Sequence, residues 1–250
     1  MIIDVFTLLG ESIQGYSQSE EALLSLMDEA GVDRAVICPA KPRGYHLGPA
    51  NDRVAAAAQR SDRLIGFARV DPRLGDEAVR ELDRAVAELG LRGLFLHPWE
   101  ETFRINSPLV DPVVARAAEL GLPLLVATGY PWLSEAPQVG DLARRFPSLQ
   151  IIMSHGGQIN ISGLGQFDAW LVLQQHPNVC IETSGVYRQD FIEEAAQAFG
   201  PERVLFGSST PRMDMRLEVE RVRWAKLPDE ARALMLGGNA ARILRLASDR

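Results

Sequence analysis

Cysteine is nearly missing from this 250-residue chain, which has only Cys38 and Cys180, far apart in sequence. Without a Cys-x-x-Cys pair there is no disulfide framework, zinc ribbon or dithiol redox motif, and two buried, reduced thiols are the simplest reading. Charge of one sign is not gathered anywhere. Lys and Arg number 26 against 33 Asp and Glu, a net charge of −7 with no basic run, which argues against a nucleic-acid partner. Long apolar runs are lacking too: the longest are strand-length, too short to cross a bilayer, so no membrane partner is expected. No basic segment followed by an apolar stretch opens the sequence, as a secretory signal would require, and a cytoplasmic location is expected.

What the chain does have is alternation. Apolar residues make up 46% of it, enough for one large core. Short apolar runs at Ile2–Phe6, Arg34–Cys38, Leu64–Val70, Gly93–His97, Pro123–Ala127, Gln150–His155, Val179–Thr183 and Val204–Ser208 read as parallel strands buried on both faces. Amphipathic stretches lie between them, at Ser19–Ala30, Asp76–Leu89, Asp111–Leu120, Val139–Phe146 and Arg188–Phe199. Gly31, Gly90 and Gly121 each follow a helical stretch and lead straight into the next strand, as helix-closing glycines do. Eight alternations in about 250 residues predict a single-domain α/β fold, a (β/α)8 TIM barrel over residues 1–250 with a helical C-terminal extension. No Gly-x-Gly-x-x-Gly follows the first strand, which weakens a dinucleotide-binding sheet. Pro39–Asn51 and Tyr130–Pro137 are the longest turn-rich segments, and both follow strands.

The strand ends carry a family likeness. Ile2-Ile3-Asp4-Val5-Phe6-Thr7-Leu8, the turn Ser154-His155-Gly156-Gly157 and Phe206-Gly207-Ser208-Ser209-Thr210-Pro211 resemble the amidohydrolase-related family, TIM-barrel metal-dependent hydrolases and decarboxylases. The likeness covers essentially the whole chain through short motifs. It implies metal ligands at a first-strand His-x-His, a fifth-strand His and an eighth-strand Asp. Phe6, Leu8, Ala127 and Ser209 stand at those places, so no cofactor and no metal is expected. His155 matches a sixth-strand histidine near the metal that is often involved in proton transfer, and it is the one kept.

In such a barrel the reacting groups lie at the carboxyl ends of the strands. His155 is the candidate acid/base, against a leftover histidine bonded to backbone. His97, Arg69, Thr128, Glu182 and Ser209 are candidate substrate-binding residues at other strand ends. A Ser209–His155 dyad is disfavoured because no Gly-x-Ser-x-Gly elbow is present. Only one of Glu182 and Thr183 can face inward, and an internal ion pair between Glu182 and Arg69 is the preferred role for that carboxylate. Arg104, Arg188 and Arg212 are possible anchors for an anionic group. His46 lies in a loop, and His176 is expected on the opposite face. Trp99, Phe103, Tyr130, Trp132 and Tyr187 cluster on the loop side. They suit a pocket for a small-molecule ligand, and a homodimer contact equally.

Three readings stand. One is a hydrolase or lyase acting without metal on a small carboxylated or cyclic substrate, with lactone opening a reasonable case. Another is a non-catalytic relative that binds a small molecule or a catalytic partner. The weakest is a metalloenzyme with ligands from His97, His155 and Glu182.

Overall fold

The structure is a computed structural model, and it describes residues 1–159 and 163–246. Strand β1 (Ile3–Glu11) carries a short antiparallel hairpin partner, β2 (Ser17–Gln18), at its far end. It pairs in parallel with β3 (Arg34–Pro39), which pairs with β4 (Leu64–Gly66). The third barrel position continues beyond Phe67 as β5 (Ala68–Arg69). From there β6 (Leu94–Leu96), β7 (Leu124–Val126), β8 (Ile151–Met153), β9 (Val179–Glu182) and β10 (Val204–Leu205) follow, each parallel to the strand before it. Backbone bonds from Val5 N–H to the Phe206 carbonyl (3.0 Å), Leu8 N–H to Thr210 (2.9 Å) and Ser209 N–H to Phe6 (2.7 Å) close the ring. The fold is the (β/α)8 barrel that the alternation predicts.

The expected helices form with slightly different ends: α1 (Glu20–Ala30), α3 (Asp76–Ala87), α4 (Asp111–Glu119), α5 (Ala136–Arg145) and α7 (Gln189–Phe199). Ser19 Oγ accepts the Ala22 N–H to start α1, and Gly31 ends it at φ 69°, where a side chain would be strained. α2 (Gly48–Arg60) begins inside a segment that reads as turn, with Pro49 in its first turn, where no amide donor is missed. α6 (Gly163–Gln175) lacks a polar stripe, so its periodicity gave no signal. The carboxyl-terminal part is helical as expected, through α8 (Met215–Arg223), α9 (Asp229–Ala233) and α10 (Asn239–Ile243).

Two-residue alternation along the strands separates two cores. Val36, Cys38, Phe67, Phe95, Leu125 and Ile152 fill the barrel interior, while Ile37, Leu94, Leu124 and Ile151 belong to the layer beneath the helices. Each such side chain contributes about 1.5–3 kcal/mol on burial. The register of β1 shifts between Asp4 and Thr7, and this irregularity lets Phe6 and Leu8 join the interior cluster. Extending the same alternation to the strand ends turns Arg69, His97 and Glu182 inward.

Candidate active site

His155 sits at the end of β8, fully buried, with φ 55° and ψ 31°. A left-handed conformation at a non-glycine residue costs on the order of 1 kcal/mol and is held only where the surroundings impose it. Here the clamp is Glu182, whose Oε1 accepts the His155 N–H at 2.6 Å. The imidazole Nδ1 lies 3.0 Å from the Ser184 carbonyl and 2.9 Å from Ser184 Oγ. A carbonyl can only accept, so Nδ1 carries the proton, and Ser184 Oγ sends its own to Glu182 Oε1 at 2.7 Å. That leaves Nε2 as an acceptor, buried and without a partner among the described residues. Burial pushes the His155 pKa down to about 4, opposed by its bond to Ser184, so the ring is neutral at neutral pH.

His97 ends β6 and is equally buried. Its Nδ1 accepts the Glu100 N–H at 3.3 Å, which places the ring proton on Nε2. That atom has no hydrogen-bond partner among the described residues, Glu100 Oε2 being 3.8 Å away. Burial first, then the charges of Arg69 and Arg212, holds the His97 pKa well below the usual imidazole range. The ring packs on Phe95 (centroids 5.9 Å apart) and Tyr130 (5.2 Å), while Phe6 lies 5.4 Å from Phe95 and 5.8 Å from His155. Phe6 and Phe95 together therefore connect the two histidines across the barrel mouth. Trp99 stacks on Tyr130 at 5.6 Å, and Arg212 Nη1 donates to the Tyr130 hydroxyl at 3.2 Å.

Arg69 corrects the expected ion pair with Glu182. Its guanidinium binds Glu100 (2.5 Å) and Glu101 (2.7 Å) from the loop after β6, not Glu182, and Nη1 donates to the Pro39 carbonyl at 2.9 Å. Lys41 completes the group at 3.5 Å from Glu101. Burial disfavours the arginine's charge, but Glu101 and Glu100 outweigh it and raise its pKa. A cation already paired twice has little left for a substrate carboxylate. Glu182 is likewise committed, because its Oε2 takes the Ser184 N–H at 2.6 Å in addition to the two bonds on Oε1. Its role is to shape the His155 turn, and burial pushes its pKa up to about 8.

The other candidates divide. Thr128 is fully buried, and its N–H and hydroxyl both bond Ser154, so it clamps two strands. Ser209 is buried at φ 55° with its Oγ unpartnered among the described residues, so no Ser209–His155 bond forms. Trp132 is 77% exposed and Trp99 46%, which puts them on the rim, whereas Tyr130 is buried. Arg188 pairs with Asp190 and Glu194, Arg104 is exposed, and His46 meets Glu77 at 2.9 Å. His176 lies between α6 and β9, on the far side from the mouth. Cavities of about 260 Å³ beside His46 and Arg84 and about 310 Å³ between α6 and α7 both lie away from His155.

Sequence reasoning missed Asp4, Lys41, Glu100, Glu101 and Ser184. Asp4 Oδ1 accepts the Phe6 and Ser208 N–H groups at 2.9 and 3.0 Å, tying β1 to the segment after β10. Burial lifts its pKa to about 7. An acid inside an apolar strand was the available signal.

A metal would need several donors converging on one point. Phe6, Leu8 and Ala127 offer carbon, His97 presents a proton rather than a lone pair at Nε2, and Glu182 is consumed by three donors. Among the described residues no group of three or more His, Cys, Asp or Glu is placed to hold an ion. The side chains at the mouth do not fit the metal that the resemblance implies. No helix among these residues is long and apolar enough to cross a membrane.

The family model for amidohydrolases matches residues 9–246. The chain belongs to the amidohydrolase family. Among relatives, the gamma-resorcylate decarboxylase of Rhodococcus jostii is 24% identical over 91% of this chain and 88% of its own length. The 5-carboxyvanillate decarboxylase of Sphingomonas paucimobilis superposes with a TM-score of 0.77 at 20% identity, covering 98% of this chain and 99% of that one. A zinc-bound amidohydrolase from Burkholderia multivorans gives 0.79 at 18%, covering 99% and 100%. The names of the first two state a decarboxylation.

Proposed function

We propose that this chain is an enzyme of the family that cleaves a bond in a small carboxylated or cyclic organic acid, with His155 as acid/base and without a metal at the family's positions. The observation that carries the reading is the His155 ring. Ser184 fixes its tautomer, burial keeps it neutral, and among the described residues nothing takes the Nε2 lone pair at the end of a barrel strand. A neutral imidazole so held can take a proton from a substrate hydroxyl or a water and return it to the group or carbon left behind. Arg212, bonded only to Tyr130 among the described residues, is the available anchor for a carboxylate. The decarboxylase names of the relatives favour loss of carbon dioxide over lactone opening.

The test is a panel of hydroxybenzoates and lactones, assayed with protein purified without tag or chelator and analysed for metal. Turnover by metal-free protein that His155→Gln abolishes, with the melting midpoint preserved, supports the proposal. Turnover that needs a stoichiometric metal or survives the substitution would sink it. A second reading, a non-catalytic binder, rests on the metal positions occupied by Phe6, Leu8 and Ala127. It predicts panel members that raise the midpoint of wild type and variant alike without turnover.

A further inference from the structure

Two buried histidines at the mouth end in opposite chemistry. His97 is bonded through Nδ1 as an acceptor, so Nε2 is a donor; His155 is bonded through Nδ1 as a donor, so Nε2 is an acceptor. Both Nε2 atoms are buried and unpartnered among the described residues, which costs about 1–3 kcal/mol apiece unless a ligand or water pays it back. The strands that carry them, β6 and β8, are separated only by β7, a span of about 10 Å. At that strand's end stands Ala127, a buried methyl that offers neither ring a hydrogen-bond partner, and the Arg212 charge acts on both imidazoles. Ser209 Oγ, also buried and unpartnered, belongs to the same mouth.

We propose that His97 and His155 act as a neutral donor–acceptor pair that holds a hydroxyl group of the ligand, His97 donating to its oxygen and His155 accepting its proton. His97 is thereby a substrate-binding residue with a defined polarity, not a packed core histidine. An ether or ester oxygen at this place satisfies His97 alone and leaves His155 unpaired, so the pair selects for a protic oxygen. The proposal deepens the reading above and rests on His155 as the acting base.

The experiment is imidazole ¹⁵N–¹H correlation at neutral pH on the full chain. Its four histidines are assigned by single His→Gln substitutions. The expected result is His97 protonated on Nε2 and His155 on Nδ1. The same tautomer in both rings, or a second proton on either, overturns the pair. Phenol and anisole are then added as probes. Phenol should shift both Nε2 resonances, whereas anisole should shift only that of His97. No response to phenol, or an equal response to both, overturns the ligand assignment. His97→Gln keeps an amide donor and should retain phenol binding, while His97→Leu, checked for folding by its melting midpoint, should weaken it about tenfold. Failure of turnover with the tautomers as stated would remove the proposed activity and leave the pair standing.

Discussion

Gly207 makes room for Glu182: a Cβ built at Gly207 would stand under 3.0 Å from the Glu182 carboxylate. The carboxylate in turn holds the His155 turn through backbone. Gly207→Ala must therefore move a fully buried acid off the His155 and Ser184 N–H groups. The expected loss is about 2–4 kcal/mol, from overpacking and from buried donors left unpaired. Urea unfolding measures it, and an unchanged midpoint would show that the acid has another place to go.

The two buried acids give the stability a sign with pH. Glu182 and Asp4 hold their protons more tightly folded than unfolded, with pKa values raised from 4.5 to about 8 and from 3.8 to about 7. Their contribution is fully present below the unfolded values and is lost as pH rises through the folded ones. His155, lowered from 6.5 to about 4, works the other way between those limits. Glu182→Gln removes one acid and leaves the histidine, so the variant should gain on wild type between pH 5 and 8, by on the order of 1–3 kcal/mol. A shift against the variant would mean that the three donors on Glu182 outweigh its burial.

The barrel was legible because each strand is a short apolar run set between amphipathic stretches, a property of each segment by itself. Alternation limited the inward residue to one of Glu182 and Thr183, and the interior position of Cys180 makes it Glu182. The Arg69 partners were not legible. Glu100 and Glu101 reach it from a loop whose path no periodicity records, while the partner preferred on sequence, Glu182, is bonded to His155 and Ser184 instead. The parity of β1 was also hidden, since its register shift moves Phe6 and Leu8 into the core with Val5. The chemistry of the histidines was invisible, because a tautomer is set by what the other ring nitrogen touches.

That missed network makes its own prediction. Arg69 neutralises two acids that are almost completely buried, and its removal leaves Glu100 uncompensated and Glu101 with Lys41 alone. Arg69→Met should cost about 3–5 kcal/mol. Adding Glu101→Gln should recover part of this, because one buried charge then needs no partner. Thermal and urea unfolding of the single and double variants gives the coupling. Additive losses would argue that the pair contributes no interaction of its own.

Arg212 differs from Arg69 in every respect that matters for binding. It is exposed, its hydrogen-bond partner is the Tyr130 hydroxyl at 3.2 Å, and among the described residues it forms no ion pair. Its remaining N–H groups are free for a planar anion, beside the stacked Trp99 and Tyr130 rings. Arg212→Ala should weaken benzoate binding about tenfold or more, the worth of a hydrogen bond to a charged group, and leave benzyl alcohol unaffected. Arg212→Lys keeps the charge but loses the fork, so it should fall between the two. The folded state should barely notice, with a stability change within about 0.5 kcal/mol, as for other surface positions. Calorimetry with the two probes decides the matter. Benzoate that binds the alanine variant as tightly as wild type would move the anion site to another cation at the rim, Arg104 being the next exposed candidate.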